Sequence, residues 1–212
     1  MRSVVLYCPH LGRDLRGLHE VVPELLIYTG LPTERGEDGC LQGHQEIVAE
    51  AGALGESRVF VMEDDCKFTP NFSFSRWCEN ADWAQEHGYD VMVGGCTRTY
   101  DERIAGEQYE EFKSTPCHRS EYALRHLTTF IEVSAFHSAH CIVYFQSVYD
   151  KLVHAVQPFD LSLGRNCGAR CVLVHPFVAV QQASFSGILQ QNVDYVPLYE
   201  QHERNLQRGL RL

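Results

Sequence analysis

A run of four apolar residues that leads directly into three carboxylates constrains this chain more than any other feature. Val59-Phe60-Val61-Met62 is followed at once by Glu63, Asp64 and Asp65. Short apolar runs are typical of the inner strands of a sheet, and adjacent acids repel one another unless something offsets their charge. The segment therefore predicts a buried strand that ends in an acidic cluster.

Apolar runs and helical repeats alternate on both sides of this strand. Further strands are predicted at residues 4–7, 24–28, 90–93 and 141–145, and helices at 44–54, 77–87, 147–156 and 195–212, with a loop at 36–39 and a long excursion at 97–125. Such alternation indicates an α/β fold. We expect a central, mostly parallel sheet that is flanked by helices.

Charge and composition exclude some classes of function. The chain has 212 residues, of which 44% are hydrophobic, and a formal net charge of −10. This charge argues against binding to nucleic acid, and no stretch has the roughly 20 apolar residues that a membrane helix needs. The nine cysteines lack the spacing of a disulfide framework, which favours reduced thiols and a cytoplasmic location.

The acidic cluster has two interpretations. Side chains alternate along a strand, so Glu63 and Asp65 should point one way and Asp64 the other. Ligands of open α/β sheets bind at the carboxyl ends of strands, and Mg²⁺ or Mn²⁺ accepts oxygen ligands while leaving positions open for phosphate. The cluster thus predicts a cation site that receives a nucleotide diphosphate, or, alternatively, a solvated acidic turn.

One combination of segments resembles glycosyltransferase family 25, which includes lipooligosaccharide transferases and procollagen galactosyltransferases. It consists of Gly36-Glu37-Asp38-Gly39-Cys40-Leu41-Gln42-Gly43-His44, then a helix, a strand and Glu63-Asp64-Asp65. Weaker similarities follow in order at residues 90–95, 138–145, 157–161 and 175–186. Gly43 stands where the family has a serine, and the excursion at 97–125 has no counterpart.

The resemblance implies a GT-A-type nucleotide-sugar-binding fold, with residues 1–212 as one domain. Residues 1–96 would form the nucleotide-sugar-binding half and residues 97–212 the acceptor-binding half. The implied reaction moves a hexose from a nucleoside-diphosphate sugar, such as a UDP-sugar, to a hydroxyl of a glycan or glycoprotein, with inversion. Mn²⁺ or Mg²⁺ would act as a Lewis acid on the departing diphosphate.

The implied site residues fall into three groups. The metal would be held by Glu63, Asp65 and His175, the donor would contact Tyr7, Pro9, Gly39, His44, Asp64, Gly95 and His140, and Asp160 would be the general base. Each has a simpler alternative: Asp160 could cap a turn or helix after Pro158, and the histidines could be satisfied residues of the core.

Other functions stay open at this point. The same acidic strand end would serve a metal-dependent phosphoesterase or nucleotidyltransferase, and Gly43 leaves room for a catalytically silent module that binds a glycan or a protein partner. Zinc is disfavoured at Cys167, Cys171 and His175 and around His140, because neither group has the paired short spacing of structural zinc sites. The sequence has neither GxxxxGK[ST] nor GxGxxG, so the usual phosphate-loop and dinucleotide motifs are missing.

Overall fold

The computed structural model describes residues 1–30, 33, 35–100, 128–186 and 191–209. Within them the strands are β1 (Arg2–Tyr7), β2 (Leu26–Thr29), β3 (Arg58–Glu63), β4 (Cys66–Phe68), β5 (Val91–Val93), β6 (Arg98–Tyr100), β7 (Thr129–Val133), β8 (Ala135–His137), β9 (Cys141–Phe145), β10 (Cys171–His175), β11 (Ala179–Gln181), β12 (Ser184–Ser186) and β13 (Gln191–Val193). The helices are α1 (Arg16–Val21), α2 (Gly36–Ala53), α3 (Phe74–Glu86), α4 (Gln146–Tyr149), α5 (Phe159–Arg165) and α6 (Val196–Gly209), and Pro9–Leu11 and Leu152–His154 form 3-10 turns.

A seven-stranded sheet in the order β2-β1-β3-β9-β5-β10-β7 forms the centre of the molecule. Strands β1, β2 and β3 are parallel to one another, and β5 is parallel to β10. Strand β9 runs antiparallel between β3 and β5, and β7 runs antiparallel to β10 at one edge. Five of the seven strands therefore point the same way, which confirms the predicted α/β class and mostly parallel sheet.

The alternation of side chains along β3 divides the core into two layers. Val59 and Val61 belong to the cluster that contains Ile47 and Val48 of α2, whereas Phe60 and Met62 belong to the cluster that contains Trp77 of α3. All four β3 side chains are fully buried. A strand covered by helices on both faces reads as one continuous apolar run, and this is why the sequence shows no polar alternation there.

Two predictions about helices and loops need correction. Residues 36–39, predicted as a loop, form the first turn of α2; Glu37 and Asp38 suit a helix amino terminus because carboxylates interact favourably with its dipole. The predicted helix at 147–156 is instead the short α4 followed by a 3-10 turn. The other predicted elements are present, with boundaries shifted by a few residues.

Small strand pairs lie outside the central sheet. Strand β4 pairs with β11 and β6 pairs with β8. Of the predicted excursion, only residues 97–100 lie among those described, and 98–100 are β6. The predicted terminal helix is α6, which buries Tyr199 and Leu206. No helix in the described ranges is both long enough and apolar enough to cross a bilayer.

Candidate functional site

The acidic cluster lies at the carboxyl edge of the sheet. Glu63 is the last residue of β3, and Leu6 of the neighbouring parallel strand is its register partner. The end of β1 and the segment after it therefore lie beside the carboxylates. This is the edge at which open α/β sheets bind ligands.

The three carboxylates have two sets of contacts. Asp64 and Asp65 both approach Arg13, and Glu63 contacts Cys40 and His44 of α2. Glu63 also lies close enough to Asp65 to help raise the pKa of that carboxyl. The strand ends at Glu63, and the next two residues form a turn before β4, so strict alternation does not extend to Asp64 and Asp65.

Asp64 fastens the segment that follows β1. Its Oδ2 accepts a hydrogen bond from the Cys8 backbone N–H at 2.7 Å, and its Oδ1 forms an ion pair with the Arg13 guanidinium. The side chain is only 2% exposed. A charge this deeply buried needs both partners, so Asp64 fixes residues 8–13 against the end of β3.

Asp65 has one oxygen without a partner. Its Oδ2 lies 3.5 Å from Nη2 of Arg13 and 3.4 Å from Nε2 of Gln181, but its buried Oδ1 has no hydrogen-bond partner among the described residues. Burial, helped by repulsion from Glu63, raises the pKa of Asp65 to about 7. An orphaned buried carboxylate oxygen of this kind is the feature expected where a protein holds a cation.

Glu63 has a different environment from its two neighbours. Its Oε1 accepts a hydrogen bond from the Cys40 thiol at 3.3 Å and lies 3.5 Å from Nε2 of His44. Burial alone would raise the pKa of Glu63, but the His44 imidazole, with smaller contributions from His140 and Cys40, brings it below its ordinary value. Glu63 is therefore held in its ionised form by its contacts with α2, whereas burial favours the protonated form of Asp65.

Two buried histidines, His44 and His140, lie beside Glu63. Nδ1 of His44 lies 2.9 Å from the Tyr144 hydroxyl, and Nδ1 of His140 lies 3.0 Å from the Tyr199 hydroxyl. The carbonyl of His140 also accepts the Glu63 backbone N–H at 3.0 Å. Burial lowers the pKa of His140 to about 4, so this ring is neutral at physiological pH.

Asp160 lies in the first turn of α5 and holds its surroundings in place. Its Oδ2 accepts hydrogen bonds from the Ser138 N–H at 2.7 Å and from Nδ1 of His137 at 3.3 Å, and its Oδ1 accepts the Leu161 N–H. Ser138 has a φ of 90°, which L residues rarely adopt. Asp160 thus accepts a backbone N–H within the first turn of α5, and its charge also helps to raise the pKa of the Cys40 thiol beside Glu63.

His175 does not join the metal site that was predicted for it. It ends β10, and β9 and β5 lie between that strand and β3. Its ring packs edge-on against Phe177, with 6.3 Å between centroids. The sequence could not show this separation, because strand order depends on tertiary packing rather than on the local pattern.

The remaining residues that are predicted to contact the sugar-nucleotide donor lie at the same edge of the sheet, where each has a structural role. Tyr7 ends β1 and its carbonyl accepts the Gly30 N–H, while the exposed Pro9 begins the following 3-10 turn. Gly39 lies in α2 and donates its N–H to Thr33. At Gly95 a Cβ would lie 2.1 Å from the Ala179 carbonyl, so only glycine lets the segment after β5 pack against β11.

Sequence reasoning did not assign a role to Arg13, Cys40 or Tyr199. Arg13 is 51 residues from its partner Asp64, and no local pattern reports such a pair. Cys40 could have been found, because Cys40 and His44 are four residues apart and share one face of a helix. That signal was hidden by the prediction of residues 36–39 as a loop.

The comparisons with known proteins add information about the fold. No family model matches the chain, and no curated protein matches it. A solved structure, the crystal structure of A197 from STIV, is similar with a TM-score of 0.52 and 11% identity, over 91% of this chain and 93% of that chain. At this level of identity the likeness shows a shared fold alone.

A second solved structure, apo UDP-glucose pyrophosphorylase, matches with a TM-score of 0.39 and 10% identity, over 90% of this chain and 68% of that chain. A TM-score this low supports no inference about fold or activity. The chain is therefore a mixed α/β protein with an acidic site at the carboxyl edge of a mostly parallel sheet.

Proposed function

We propose that this chain is a metal-dependent glycosyltransferase of the family 25 type with a GT-A fold. It would move a hexose from a nucleoside-diphosphate sugar, such as a UDP-sugar, to a hydroxyl of a glycan or glycoprotein acceptor, with inversion. The observation that carries the proposal is the unpartnered Oδ1 of Asp65, buried at the carboxyl edge of the sheet beside two further carboxylates. The motif that contains it is also the most specific part of the resemblance.

The residues present fit a hard divalent cation. Asp65, with Glu63 beside it, would hold Mg²⁺ or Mn²⁺, since both cations prefer oxygen ligands. Bound there, the cation would offset the negative charge that develops on the departing nucleotide diphosphate. His175 has no part in this site, because two strands separate β10 from β3.

The proton of the acceptor hydroxyl needs a base on the acceptor side. Asp160 is our assignment, because hydrogen bonds from the Ser138 and Leu161 amides fix the orientation of its carboxylate. Nδ1 of His137, at 3.3 Å, faces the same oxygen and would stabilise its orientation further. Asp160 belongs to residues 97–212, the half assigned to the acceptor, while the donor half contributes Glu63 and Asp65.

Arg13 favours a second candidate function. Its guanidinium already neutralises Asp64 and approaches Asp65, and a site with an internal cation has less need of a metal ion. A catalytically silent module that binds a glycan or a protein partner would keep the fold and this ion pair. The two candidates differ in whether Asp65 binds a divalent cation together with a nucleotide.

Calorimetric titration separates the candidates. Nucleoside diphosphates and their hexose derivatives are titrated with and without Mn²⁺ into the wild type, Asp65→Asn and the control Asp150→Asn. Asp150 is an exposed aspartate after β9, at the opposite edge of the sheet. The transferase predicts Mn²⁺-dependent binding that Asp65→Asn loses and Asp150→Asn keeps; binding of no nucleotide under any condition refutes it in favour of the silent module.

A cytoplasmic location is part of the same proposal. The cysteines of the described residues are all free thiols, and several are fully buried in the core. Thiols of this kind are usual in a reducing compartment. Nucleotide sugars that are made in the cytoplasm would reach the site directly.

A further inference from the structure

Three potential metal ligands of different chemistry meet beside Glu63. The Cys40 thiol, the His44 imidazole and the Glu63 carboxylate each offer a ligand atom, and these atoms all lie within 4.8 Å of one another. Cys40 and His44 are one helical turn apart on α2, and Glu63 comes from the end of β3. Among the described residues this is the group of histidine, cysteine and acidic side chains that could hold an ion.

His44 provides independent evidence that the group is built for a ligand. The residue is completely buried, yet its Nε2 has no hydrogen-bond partner among the described residues and faces Glu63 Oε1 at 3.5 Å. A buried polar nitrogen without a partner is costly and needs an explanation. A cation between the three side chains would supply the missing interaction.

The surroundings of His44 also suit a ligand. Its Nδ1 lies 2.9 Å from the Tyr144 hydroxyl. When Nδ1 carries the ring proton and donates it to this oxygen, the lone pair on Nε2 is free for a metal. Outer hydrogen bonds of this kind usually orient ligating histidines. Phe159 covers the ring, with 4.8 Å between centroids, which fixes its plane and excludes water from that face.

We propose that Cys40, His44 and Glu63 bind a zinc ion that fastens the first turns of α2 to the end of β3. A thiolate and an imidazole select Zn²⁺ over Mg²⁺ or Mn²⁺, which prefer ligand sets made of oxygen. Glu63 adjoins both positions, but the zinc set adds sulfur and nitrogen ligands, whereas the position at Asp65 offers oxygen ligands alone. With three protein ligands, one coordination position stays open to water.

Co²⁺ is the spectroscopic probe for this site, because a thiolate bound to Co²⁺ gives a strong near-ultraviolet charge-transfer absorption. The wild type should bind one equivalent of Co²⁺ with this absorption, and Zn²⁺ should displace it. Cys40→Ala and His44→Gln should lose the absorption, and Tyr144→Phe should weaken Zn²⁺ binding about tenfold. The matched control Cys78→Ala, which removes a partly buried thiol from α3, should behave as the wild type does.

A second measurement uses the wild type alone, so it does not depend on the folding of a variant. Zn²⁺ should protect Cys40, but not Cys78, from alkylation by iodoacetamide in the wild type, with the modified peptides identified by mass spectrometry. Equal labelling of Cys40 with and without Zn²⁺, or a Co²⁺ absorption that persists in Cys40→Ala, would overturn the proposal. The three side chains would then be a hydrogen-bonded structural group.

The zinc site and the proposed transferase can fail separately. Asp65→Asn should keep the Co²⁺ absorption even though it loses nucleotide binding with Mn²⁺. Cys40→Ala should lose the absorption and keep the nucleotide binding. If both variants lose both properties, the zinc site is not separate from the donor site, and the proposal in this form is wrong.

Discussion

Glu63 and Asp65 are two residues apart at one strand end, yet their surroundings shift their pKa values in opposite directions. On the α2 side, His44 and the Cys40 thiol bring the pKa of Glu63 below its ordinary value although burial opposes this. On the turn side, burial raises the pKa of Asp65 to about 7, and Arg13 offsets only part of that effect. Neighbouring carboxylates whose environments separate their pKa values commonly have different roles.

The difference shows how three adjacent acids can be accommodated without extensive repulsion. Glu63 stays ionised on one side, Asp64 is paired with Arg13, and Asp65 can keep its proton up to near neutral pH. A protonated Asp65 is easy to bury, but an ionised one requires a cation. The turn side of the cluster is therefore the part that should respond to pH and to divalent cations.

Of the changes to the acidic cluster, removal of Arg13 should have the largest effect on the free energy of unfolding. Arg13→Met leaves Asp64 buried without its cation, and loss of one partner of a buried pair typically costs about 3–5 kcal/mol. We expect a decrease of about 3 kcal/mol in the free energy of unfolding at pH 8, measured by urea denaturation. The loss should be smaller at pH 5, where protonation relieves the unpaired carboxylates.

Arg16→Met is the matched control for this prediction. Arg16 is fully exposed and pairs with the exposed Asp14, so its replacement should leave the urea midpoint unchanged. If Arg13→Met unfolded at the same urea concentration as the wild type, Arg13 would not stabilise the cluster.

The pH dependence of stability tests Asp65 directly. Its pKa is raised from 3.8 to about 7 in the folded protein, so the native state holds a proton that the unfolded state has released. Stability from this group should therefore fall as pH rises from about 4 to about 7, by at most about 1.4 kcal/mol per pH unit. Asp65→Asn should remove this decrease of stability with pH. Saturating Mn²⁺ should do the same if the cation binds at Asp65.

Urea denaturation at several pH values between 4 and 8 measures the effect. The comparison of interest is the difference between the wild type and Asp65→Asn, because groups outside the acidic cluster titrate equally in both. A difference that does not change with pH would mean that Asp65 is already ionised throughout this range.

Substitution of Tyr144 should destabilise the α2 side of the cluster. Tyr144→Phe leaves Nδ1 of His44 buried without its partner, and an unsatisfied buried group costs about 1–3 kcal/mol. Tyr149→Phe is the matched control, because its hydroxyl is buried without a hydrogen-bond partner among the described residues. Thermal unfolding should show a lower Tm for Tyr144→Phe and no decrease for Tyr149→Phe.

Gly43 should give the smallest effect. A Cβ at Gly43 would lie 2.6 Å from Cδ1 of Leu6, which is the flexible end of a buried side chain. Serine is a better helix former than glycine by about 0.5 kcal/mol, so Gly43→Ser should change stability by less than about 1 kcal/mol. Gly17→Ser in α1, where nothing lies within 4 Å, gives the propensity gain without the contact; a much lower Tm for Gly43→Ser alone would show that Leu6 cannot move.

The sequence predicted those parts of the fold that short-range patterns determine. The apolar run of β3 continues into three acids, and this pattern located both the inner strand and the edge of the sheet that carries the cluster. The repeat of Ile47, Val48 and Ala51 located the buried face of α2. Each of these predictions depends on neighbours within one or two turns of the chain.

The partners of the carboxylates were not predictable in this way. Arg13 and Gln181 reach Asp65 from 52 and 116 residues away along the chain, and the insertion of β9 beside β3 decides which of the predicted residues meet. His175 was placed in the metal site because a linear motif carries no strand order. Three-residue strands such as β4 and β11 are also too short to leave a periodic signal.

The pairing of β6 with β8 has a consequence for how related proteins can diverge. Tyr100 ends β6 in register with Ala135, and Thr129 of β7 lies opposite His175 at the end of β10. Val133, at the other end of β7, lies opposite Cys171 at the start of β10 and is two residues from Ala135, so residues 100 and 128 lie towards opposite edges of the sheet. Doubling the length of a segment that joins two fixed ends costs only about 0.6 kcal/mol in closure entropy, so related chains can differ in length between these two strand pairs while the central sheet is inherited unchanged.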